Sequence, residues 1–250
     1  MITMEWLALS KLKNNWQSQT QDYYHRIKLS LSQCDLCGNS TQQQTLICSA
    51  CLADLPLFKQ KIIQGDLLNW PAVNRSLPGI DFDHLFCLSP YLTPFNQWLT
   101  QFKYQGRFEL ASLFAALLAE KWQEIQLTPS VDLILSVPLH ISKWQQRGYN
   151  QAHLIAKPFA QLLRLPYQSS VLIRTKKNIS QVGQTGAQRR NNLANAFILR
   201  CSLPKAVKHV MLVDDVLTTG STASEISKLL KCNGVEEVTV ASLCLTLPKH

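Results

Sequence analysis

The sequence lacks any long apolar run. Nowhere in its 250 residues is there an uninterrupted stretch of about 18 apolar residues, the length that a membrane-spanning helix needs. The first 32 residues contain short apolar clusters, but Lys11, Lys13 and several Asn and Gln residues interrupt them, so no secretory signal is recognisable. We therefore predict no membrane insertion and a cytoplasmic location.

Acidic residues are absent from one long block. Between Leu133 and Val213 the sequence has 12 Lys and Arg and no Asp or Glu, whereas the rest of the chain has 13 basic and 16 acidic residues. The formal charge of the whole chain is +9, so all of the positive excess lies in this block. Such a localised excess indicates a site for an anion rather than a generally basic surface. With 46% hydrophobic and 16% charged residues, the composition excludes a disordered basic tail.

Four of the eight cysteines form two CxxC pairs, Cys34 with Cys37 and Cys48 with Cys51. Four thiolates at this spacing suit one tetrahedral zinc ion. Two disulfides are disfavoured in the cytoplasm, and a redox motif is disfavoured because thioredoxin-type CxxC motifs occur singly. Four protein ligands leave no open position, so the expected role is structural. The isolated cysteines are interpreted as small buried hydrophobic residues: Cys87, Cys201, Cys232 and Cys244.

Hydrophobic periodicity after residue 83 predicts alternating strands and helices. The predicted strands are 84–90, 133–137, 210–213 and 238–245, and the predicted helices are 107–124, 150–165 and 223–231. This alternation is typical of a mainly parallel sheet with helices on both faces, in which ligands bind beyond the carboxyl ends of the strands. We divide the chain into an N-terminal extension (1–30), a four-cysteine module (31–58), a connector (59–82) and an α/β domain (83–250).

The segment from Val210 to Thr222 carries the strongest chemical signal. Four apolar residues predict a buried strand, and Asp214 and Asp215 follow it directly. A hydroxyl-rich turn around Gly220 then leads into a helix, where Thr222 and Glu225 have capping-box spacing. Backbone N–H groups of such a turn surround a phosphate, and carboxylates accept hydrogen bonds from sugar hydroxyls. The pattern favours a ribose 5-phosphate ligand; the alternative is a helix cap beside an ordinary loop.

This segment resembles the loop of type I phosphoribosyltransferases that binds 5-phosphoribosyl 1-pyrophosphate (PRPP). From Cys34 to about Leu245 the chain is similar to the ComF/GntX family of competence and DNA-utilisation proteins. Besides the CxxC pairs and the loop, the resemblance rests on these motifs, in order: Phe102-Lys103-Tyr104-Gln105-Gly106, Ser136-Val137-Pro138-Leu139-His140, Arg147-Gly148-Tyr149-Asn150-Gln151, Arg174-Thr175 with Gln181, and Arg189-Arg190-Asn191-Asn192 with Phe197. It implies an α/β, type I phosphoribosyltransferase-like fold with a mainly parallel sheet, flanking helices and a small N-terminal zinc module.

The resemblance also implies a set of site residues. The catalytic assignments are Lys103, Asp214 and Asp215, and the PRPP-binding assignments are Asp214, Asp215, Val216, Leu217, Thr218, Thr219, Gly220, Ser221 and Thr222. Those of the pyrophosphate and basic loops are Val137, Pro138, Leu139, Lys143, Arg147, Arg174, Arg189 and Arg190. Lys143 and Gln145 stand where the family usually has arginine, which weakens the clamp because lysine cannot replace a bidentate arginine. Mg²⁺ is expected with PRPP.

Two functions are open at this stage. The resemblance favours a competence or DNA-utilisation protein that binds PRPP and binds or acts on incoming single-stranded DNA, with the DNA-uptake machinery as partner. In that case, basic residues near Tyr104, Trp144 and Tyr149 combine phosphate contacts with base stacking. The alternative is an active enzyme that transfers ribose 5-phosphate from PRPP to a nitrogen nucleophile, although no acceptor-binding segment is recognisable. Since residues 29–58 contain no Lys or Arg, the cysteine module alone is disfavoured as the DNA contact; docking to a partner or to the α/β domain is its other expected role.

Overall fold

The computed structural model describes residues 33–41, 46–125, 130–139, 141–175 and 196–246. The chain divides into two compact units, with the boundary between Leu55 and Pro56. The predicted N-terminal extension lies outside the described residues, as do Arg189 and Arg190. None of the described helices combines the length and the apolar character that crossing a membrane would require.

The described residues of the first unit, 33–41 and 46–55, contain little regular structure. Helix α1 (Ser49–Ala53) is a single short helix that begins directly after Cys48. An isolated antiparallel bridge joins Gln33 to Ser40, and between them the backbone turns tightly, with Gly38 N donating to Cys34 O at 2.9 Å. Gly38 has a φ of +72°, a left-handed conformation that glycine adopts without a steric penalty.

The second unit alternates helices and strands. Its described helices are α2 (Pro71–Ser76), α3 (Phe95–Tyr104), α4 (Leu110–Gln123), α5 (Ile141–Arg147), α6 (Gln151–Leu163) and α7 (Ser221–Cys232). Its described strands are β1 (His84–Pro90), β2 (Leu133–Ser136), β3 (Tyr167–Gln168), β4 (Leu172–Arg174), β5 (Phe197–Leu199), β6 (His209–Leu217) and β7 (Glu237–Leu245). A 3₁₀ turn at Leu67–Asn69 precedes α2.

Five of the described strands form one sheet in the order β1-β7-β6-β2-β3, and every neighbouring pair in it is parallel. β4 and β5 form a separate antiparallel pair. The parallel sheet confirms the predicted fold class. Strand β6 lies in the middle of the sheet, so its carboxyl end opens between the ends of β7 and β2. The candidate site lies at this carboxyl end of the sheet, which is called the edge below.

Both faces of the sheet are covered. On one face, strand residues such as Leu135 and Leu212 belong to the same buried cluster as Ile226 and Leu230 of α7. On the other face, Phe86 of β1 contacts Trp122 of α4 edge-on, with ring centroids 5.2 Å apart. This double burial explains why the strands consist of almost continuous apolar runs rather than alternating patterns.

Strand β6 is longer than its apolar run predicts. The sequence predicts a strand over 210–213, but β6 extends to Leu217 because Asp214 pairs with Ser242 and Val216 with Cys244 of β7. Asp214 and Asp215 therefore lie within the strand. Side-chain polarity ends the hydrophobic signal at Asp214, whereas the backbone hydrogen bonds to β7 continue.

Residues 59–82, the expected connector, contribute to the core of the second unit. Leu67, Val73, Leu77 and Phe82 are at most 4% exposed and belong to the cluster that α7 covers. The proline and glycine residues of this segment predict turns, and these turns separate short apolar elements that pack on the sheet. The segment is therefore a folded part of the second unit.

Asp66 attaches this segment to the sheet. Its Oδ1 accepts hydrogen bonds from Leu68 N at 2.9 Å and Leu85 N at 3.0 Å, and its Oδ2 lies 2.9 Å from His84 Nδ1. His84 Nε2 in turn lies 2.6 Å from Glu237 Oε1. Burial alone would lower the pKa of His84, but the hydrogen bonds and charges of Asp66 and then of Glu237 outweigh it and raise this pKa above its ordinary value.

We expect Asp66→Ala to lower the free energy of unfolding by about 2 kcal/mol, because it leaves buried donors without their charged acceptor. The folded-state pKa of His84 lies above its unfolded value, so its pairing stabilises the protein below about pH 6.5 and is lost as the pH rises through the folded pKa. The deficit of the variant should therefore be larger near pH 6 than near pH 9 in urea denaturation. Glu236→Ala, which removes an exposed ion pair with Lys208, is the control and should change little; an equal loss in both variants would contradict the role of Asp66.

Candidate functional site

Two adjacent carboxylates lie at the carboxyl end of β6. Their side chains are partly buried, and Asp215 N donates a hydrogen bond to Asp214 Oδ1 at 2.8 Å. Burial, followed by the charge of Asp215, raises the pKa of Asp214 to about 8. The shift favours the protonated form of Asp214, which is able to donate as well as accept a hydrogen bond.

Lys103 forms an ion pair with this acid pair. It lies in the last turn of α3, and its Nζ lies 2.7 Å from Asp215 Oδ2. Four buried residues of α3 anchor the helix: Phe95, Trp98, Leu99 and Phe102. Burial by itself would lower the pKa of Lys103, but the charge and hydrogen bond of Asp215 outweigh it and raise this pKa. Lys103 is therefore a fixed positive charge at the end of β6.

The hydroxyl-rich turn follows β6 directly. Thr218 is exposed, and the hydroxyl groups of Thr219 and Ser221 lie 2.9 Å apart. Gly220 has a φ of +69°, and a Cβ atom there would lie 3.4 Å from Ile80 and from Phe82. Glycine is therefore favoured at this position by its backbone conformation and by its close neighbours.

The turn leads into the N-terminus of α7. The predicted capping box is wrong, because the N-cap is Gly220 and not Thr222, and it makes no side-chain cap hydrogen bond. The helix starts at Ser221, two residues earlier than the box requires, directly after Gly220 in its left-handed conformation. The first N–H groups of this 12-residue helix point back toward the turn, where the helix dipole favours an anion.

Not every residue of the predicted loop faces solvent. The side chain of Leu217 is 3% exposed and belongs to the core cluster, and Leu217 O accepts a hydrogen bond from Thr246 N at 2.9 Å. Val216 is the register partner of Cys244 in β7. Val216 and Leu217 thus hold the strand in the sheet. The polar residues before and after them, such as Asp215 and Thr218, lie at the carboxyl end of the strand, where a ligand could contact them.

The predicted pyrophosphate loop, 137–139, lies beside the acid pair. Val137 N donates to Val213 O of β6 at 2.9 Å, and Asn150 Nδ2 donates to Val137 O at 3.0 Å. Asn150 is also the N-cap of α6, since its side chain accepts from Ala152 N. Pro138 and Leu139 are partly buried at the same edge. The loop is therefore fixed to both β6 and α6.

A chain of hydroxyl and imidazole groups supports this loop. Tyr167 Oη of β3 lies 3.0 Å from Ser136 Oγ at the end of β2, and 2.6 Å from His153 Nδ1 of α6. Burial raises the pKa of Tyr167, and burial followed by the charge of Lys157 lowers that of His153. The sequence does not predict this contact, because the three residues belong to different elements and share no motif.

Several predicted basic residues lie near Lys103 and near one another. Lys143 and Arg147 are on α5 and Arg174 ends β4. Burial, then the charges of Arg147 and Arg174 and, more weakly, of Lys103, lower the pKa of Lys143. Lys103, Lys143, Arg147 and Arg174 therefore form a cation cluster. Burial lowers the pKa of Arg174, and the charge of Asp214 offsets only part of this effect.

The four cysteines of the two CxxC motifs come together in the first unit. Their sulfur atoms all lie within 4.8 Å of one another, and Cys37 Sγ lies 3.7 Å from Cys48 Sγ. A tetrahedral ion with metal–sulfur bonds of about 2.3 Å separates its ligands by about 3.8 Å, whereas a disulfide requires about 2.05 Å. The four residues, Cys34, Cys37, Cys48 and Cys51, therefore fit a single metal ion.

Backbone groups favour a thiolate in this cluster. Cys48 N donates to Cys34 Sγ at 3.4 Å. Burial opposes ionisation of Cys34, but N–H groups of Cys37, Cys48 and Leu36 outweigh it and lower the pKa of Cys34 to about 6. Of the isolated cysteines, Cys87 and Cys244 are buried as expected, whereas Cys201 and Cys232 are exposed, so that expectation is wrong for the latter two. Cys201 follows the edge strand β5 and Cys232 ends α7, where the apolar surroundings of the strands are missing.

The chain is similar to known proteins over most of its length. A family model described as "Phosphoribosyl transferase domain" matches residues 151–249. The chain is 32% identical over 217 residues to the DNA utilization protein YhgH of Escherichia coli (strain K12), covering 86% of this chain and 90% of that protein. It is 33% identical over 219 residues to competence protein F of Haemophilus influenzae, covering 86% and 85%. The chain also aligns with a crystal structure of adenine phosphoribosyltransferase from Leishmania tarentolae. The alignment covers 55% of this chain and 71% of the Leishmania chain, with a TM-score of 0.35 and 19% sequence identity. On the extent of the two sequence matches, this chain belongs to the family of DNA utilization protein YhgH and competence protein F, with a domain of the phosphoribosyltransferase type.

Proposed function

We propose that this protein is a competence or DNA-utilisation protein whose second unit binds PRPP with Mg²⁺, and which also binds single-stranded DNA. One observation carries the PRPP assignment. The acid pair Asp214–Asp215, paired with Lys103 at 2.7 Å, stands directly before a hydroxyl-rich turn and the N-terminus of α7. A diol and a phosphate on one small ligand match these two neighbouring sets of groups.

The ribose end of the ligand suits the acid pair. Asp214, whose pKa is raised to about 8, offers a donor, and Asp215 accepts hydrogen bonds while it also pairs with Lys103. The 5-phosphate suits the next turn, where hydroxyl groups join the first N–H groups of α7. The hydroxyl-bearing residues are Thr218, Thr219, Ser221 and Thr222.

The pyrophosphate end suits the cation cluster, since its charges oppose those of the ligand and lie beside the loop at 137–139. Mg²⁺ binds through one or two carboxylates together with substrate phosphates, and the carboxylate of Asp215 is the protein group that would hold it. When bound, the ion would neutralise phosphate charge.

An active phosphoribosyltransferase is the second candidate function, favoured by the fixed position of Lys103. In that reaction the bond from ribose C1 to pyrophosphate breaks, a nitrogen nucleophile bonds to C1, and the nitrogen then loses a proton. Lys103, Arg147 and Arg174 would stabilise the charge that develops on the pyrophosphate. Pyrophosphate release, screened over bases and amines, tests this function: release that requires an added acceptor supports it, and its absence with PRPP bound leaves a binding protein.

The DNA assignment rests on the names of the relatives and on one surface. Tyr104 is 65% exposed and Trp144 49% exposed, and the Arg147 guanidinium lies 5.1 Å from the centroid of the Tyr104 ring. Exposed aromatic rings beside cations are the groups on which single-stranded nucleic acids stack while their phosphates are neutralised. The DNA-uptake machinery is the proposed partner.

The cysteine cluster is proposed to hold a structural Zn²⁺ ion. The observed sulfur positions match a tetrahedral site, and a thiolate site agrees with a cytoplasmic, reducing location. The described residues of the first unit include one short helix, and an ion held by the four cysteines would stabilise their fold.

We expect the affinity for PRPP with Mg²⁺ to fall as the pH rises through about 8, because ionisation of Asp214 adds a negative charge beside an anion. Asp214→Asn should flatten this dependence in calorimetry between pH 6.5 and 9. Unfolded Asp ionises near pH 4, and the folded residue holds its proton to about 8, so stability decreases between these values. The variant should therefore melt at a higher temperature at pH 8.

Glu236→Gln, at the amino end of β7, is the matched control and should leave the pH dependence of PRPP binding intact. Absence of PRPP binding by the wild-type protein would overturn the ligand assignment. Binding that does not vary with pH would exclude the proposed state of Asp214.

For DNA, we expect Trp144→Ala to reduce the affinity for oligothymidylate about tenfold, since stacking of one base contributes about 1–3 kcal/mol. The control is Trp70→Ala, which removes another partly exposed tryptophan. Wild-type affinity, measured by fluorescence anisotropy, should fall steeply with salt concentration. A flat salt dependence, or equal effects of the two variants, would rule out this surface.

Metal analysis of the purified protein should give about one zinc per chain. Cys51→Ser should lose most of this zinc and lower the thermal stability of the first unit, because three thiolates do not complete the site. Cys232→Ser, which removes an exposed isolated thiol, should retain it. Zinc retained in both variants would disprove the four-cysteine assignment.

A further inference from the structure

Gln151 has an unusual position for a polar side chain. It is the first residue of α6 and is only 2% exposed. Its Oε1 accepts a hydrogen bond from Arg147 Nη1 at 3.2 Å, which assigns the orientation of the amide. Within the described part of the chain, its buried Nε2 has no acceptor.

Arg147 shows the same imbalance. Its Nη2 donates to Tyr104 Oη at 3.0 Å, and its guanidinium packs over the Tyr104 ring at 5.1 Å. Its Nε is buried and likewise finds no acceptor among the described residues. Gln151 thus holds the arginine on one side and Tyr104 holds it on the other, while its buried Nε has no acceptor among the described residues.

Both unmatched atoms are donors. A buried donor without an acceptor destabilises a folded protein, so such groups in native structures call for an explanation. If Gln151 served only to accept the hydrogen bond from Arg147, a side chain without a second polar group would do so at a lower energetic cost. Gln151 Nε2 and Arg147 Nε therefore both need an acceptor oxygen that neither residue supplies.

The surroundings select an anionic acceptor. Lys143 lies close enough to Arg147 for the charge of Arg147 to contribute to the lowering of its pKa, and the sequence offers no acid between Leu133 and Val213 to balance them. Asn150, adjacent to Gln151, holds Val137 O at 3.0 Å. The donor pair therefore lies next to the 137–139 loop and within the cation cluster.

We propose that Gln151 and Arg147 form a phosphoryl-binding subsite, in which Gln151 orients Arg147 and its own Nε2 donates to a phosphoryl oxygen beside Arg147 Nε. The inference rests on the proposed function and adds Gln151 as a binding residue of that site. The ligand is a phosphoryl group, either from the diphosphate of PRPP or from the backbone of single-stranded DNA.

The test uses three variants of the full-length protein. Gln151→Met keeps the volume and removes both polar atoms, and Gln151→Glu replaces the donor by a carboxylate that would pair with Arg147 and repel an anion. Gln161→Met changes an exposed glutamine of the same helix and is the matched control. Calorimetry measures binding of pyrophosphate with Mg²⁺, PRPP with Mg²⁺ and oligothymidylate, and thermal melting measures the stability of each variant without ligand.

We expect Gln151→Met to weaken binding of at least one of these probes about tenfold, as expected for the loss of a hydrogen bond to a charged group, and Gln151→Glu to weaken it further. Without ligand, Gln151→Met should melt close to the wild type, since removal of the unmatched donor offsets the loss of the acceptor for Arg147 Nη1. Weaker binding of pyrophosphate and PRPP alone assigns the subsite to the diphosphate, and weaker binding of oligothymidylate alone assigns it to a DNA phosphate.

Wild-type affinity for every probe in Gln151→Met would overturn the subsite, as would a loss no larger than that in Gln161→Met. A marked fall in melting temperature without ligand would also overturn it, because Gln151 would then be a structural residue. The subsite fails alone if the wild type binds PRPP and Gln151→Met binds it and the other probes equally well. The proposed function fails with it if the wild type binds none of the three.

Discussion

Strand β6 lies between β7 and β2, and its pairing with β7 continues through Asp214, Val216 and Leu217. This backbone pairing fixes the two adjacent carboxyl groups at the carboxyl end of the sheet. The energetic consequence is visible in Asp214, whose pKa is raised to about 8. Lys103 provides the opposite charge for Asp215, and the buried residues of α3 fix the position of the helix that carries it.

The loop opposite the acid pair is held by contacts of a different kind. Val137 receives one hydrogen bond from Asn150 and donates one to β6, and Ser136 is joined to Tyr167. These contacts between neutral groups fix the loop, and the cation cluster lies beside it. Positive charge next to a fixed loop suits a site for a polyanion.

Local signals in the sequence predict the strand, the acid pair and the turn after it, and the CxxC spacing predicts the cysteine cluster. The missed features depend on contacts between distant elements. The end of β6 is set by β7, the N-cap of α7 by the backbone of Gly220, and the contact of Tyr104 with Arg147 by the packing of α3 and α5. Helix α3 does carry a signal, since its buried residues recur at helical spacing.

Three features of the site favour the same kind of partner. The pKa of Asp214 is raised, so that its protonated form needs an acceptor, Lys143 lies among like charges, and Gln151 buries a donor that has no acceptor among the described residues. Each of these features is unfavourable in a folded protein. An anion beside the cations would relieve Lys143 and Gln151, and a hydroxyl group beside Asp214 would give its proton an acceptor. A phosphorylated sugar carries both groups, and for this reason these features support the proposed class of ligand better than they support a simple inorganic anion.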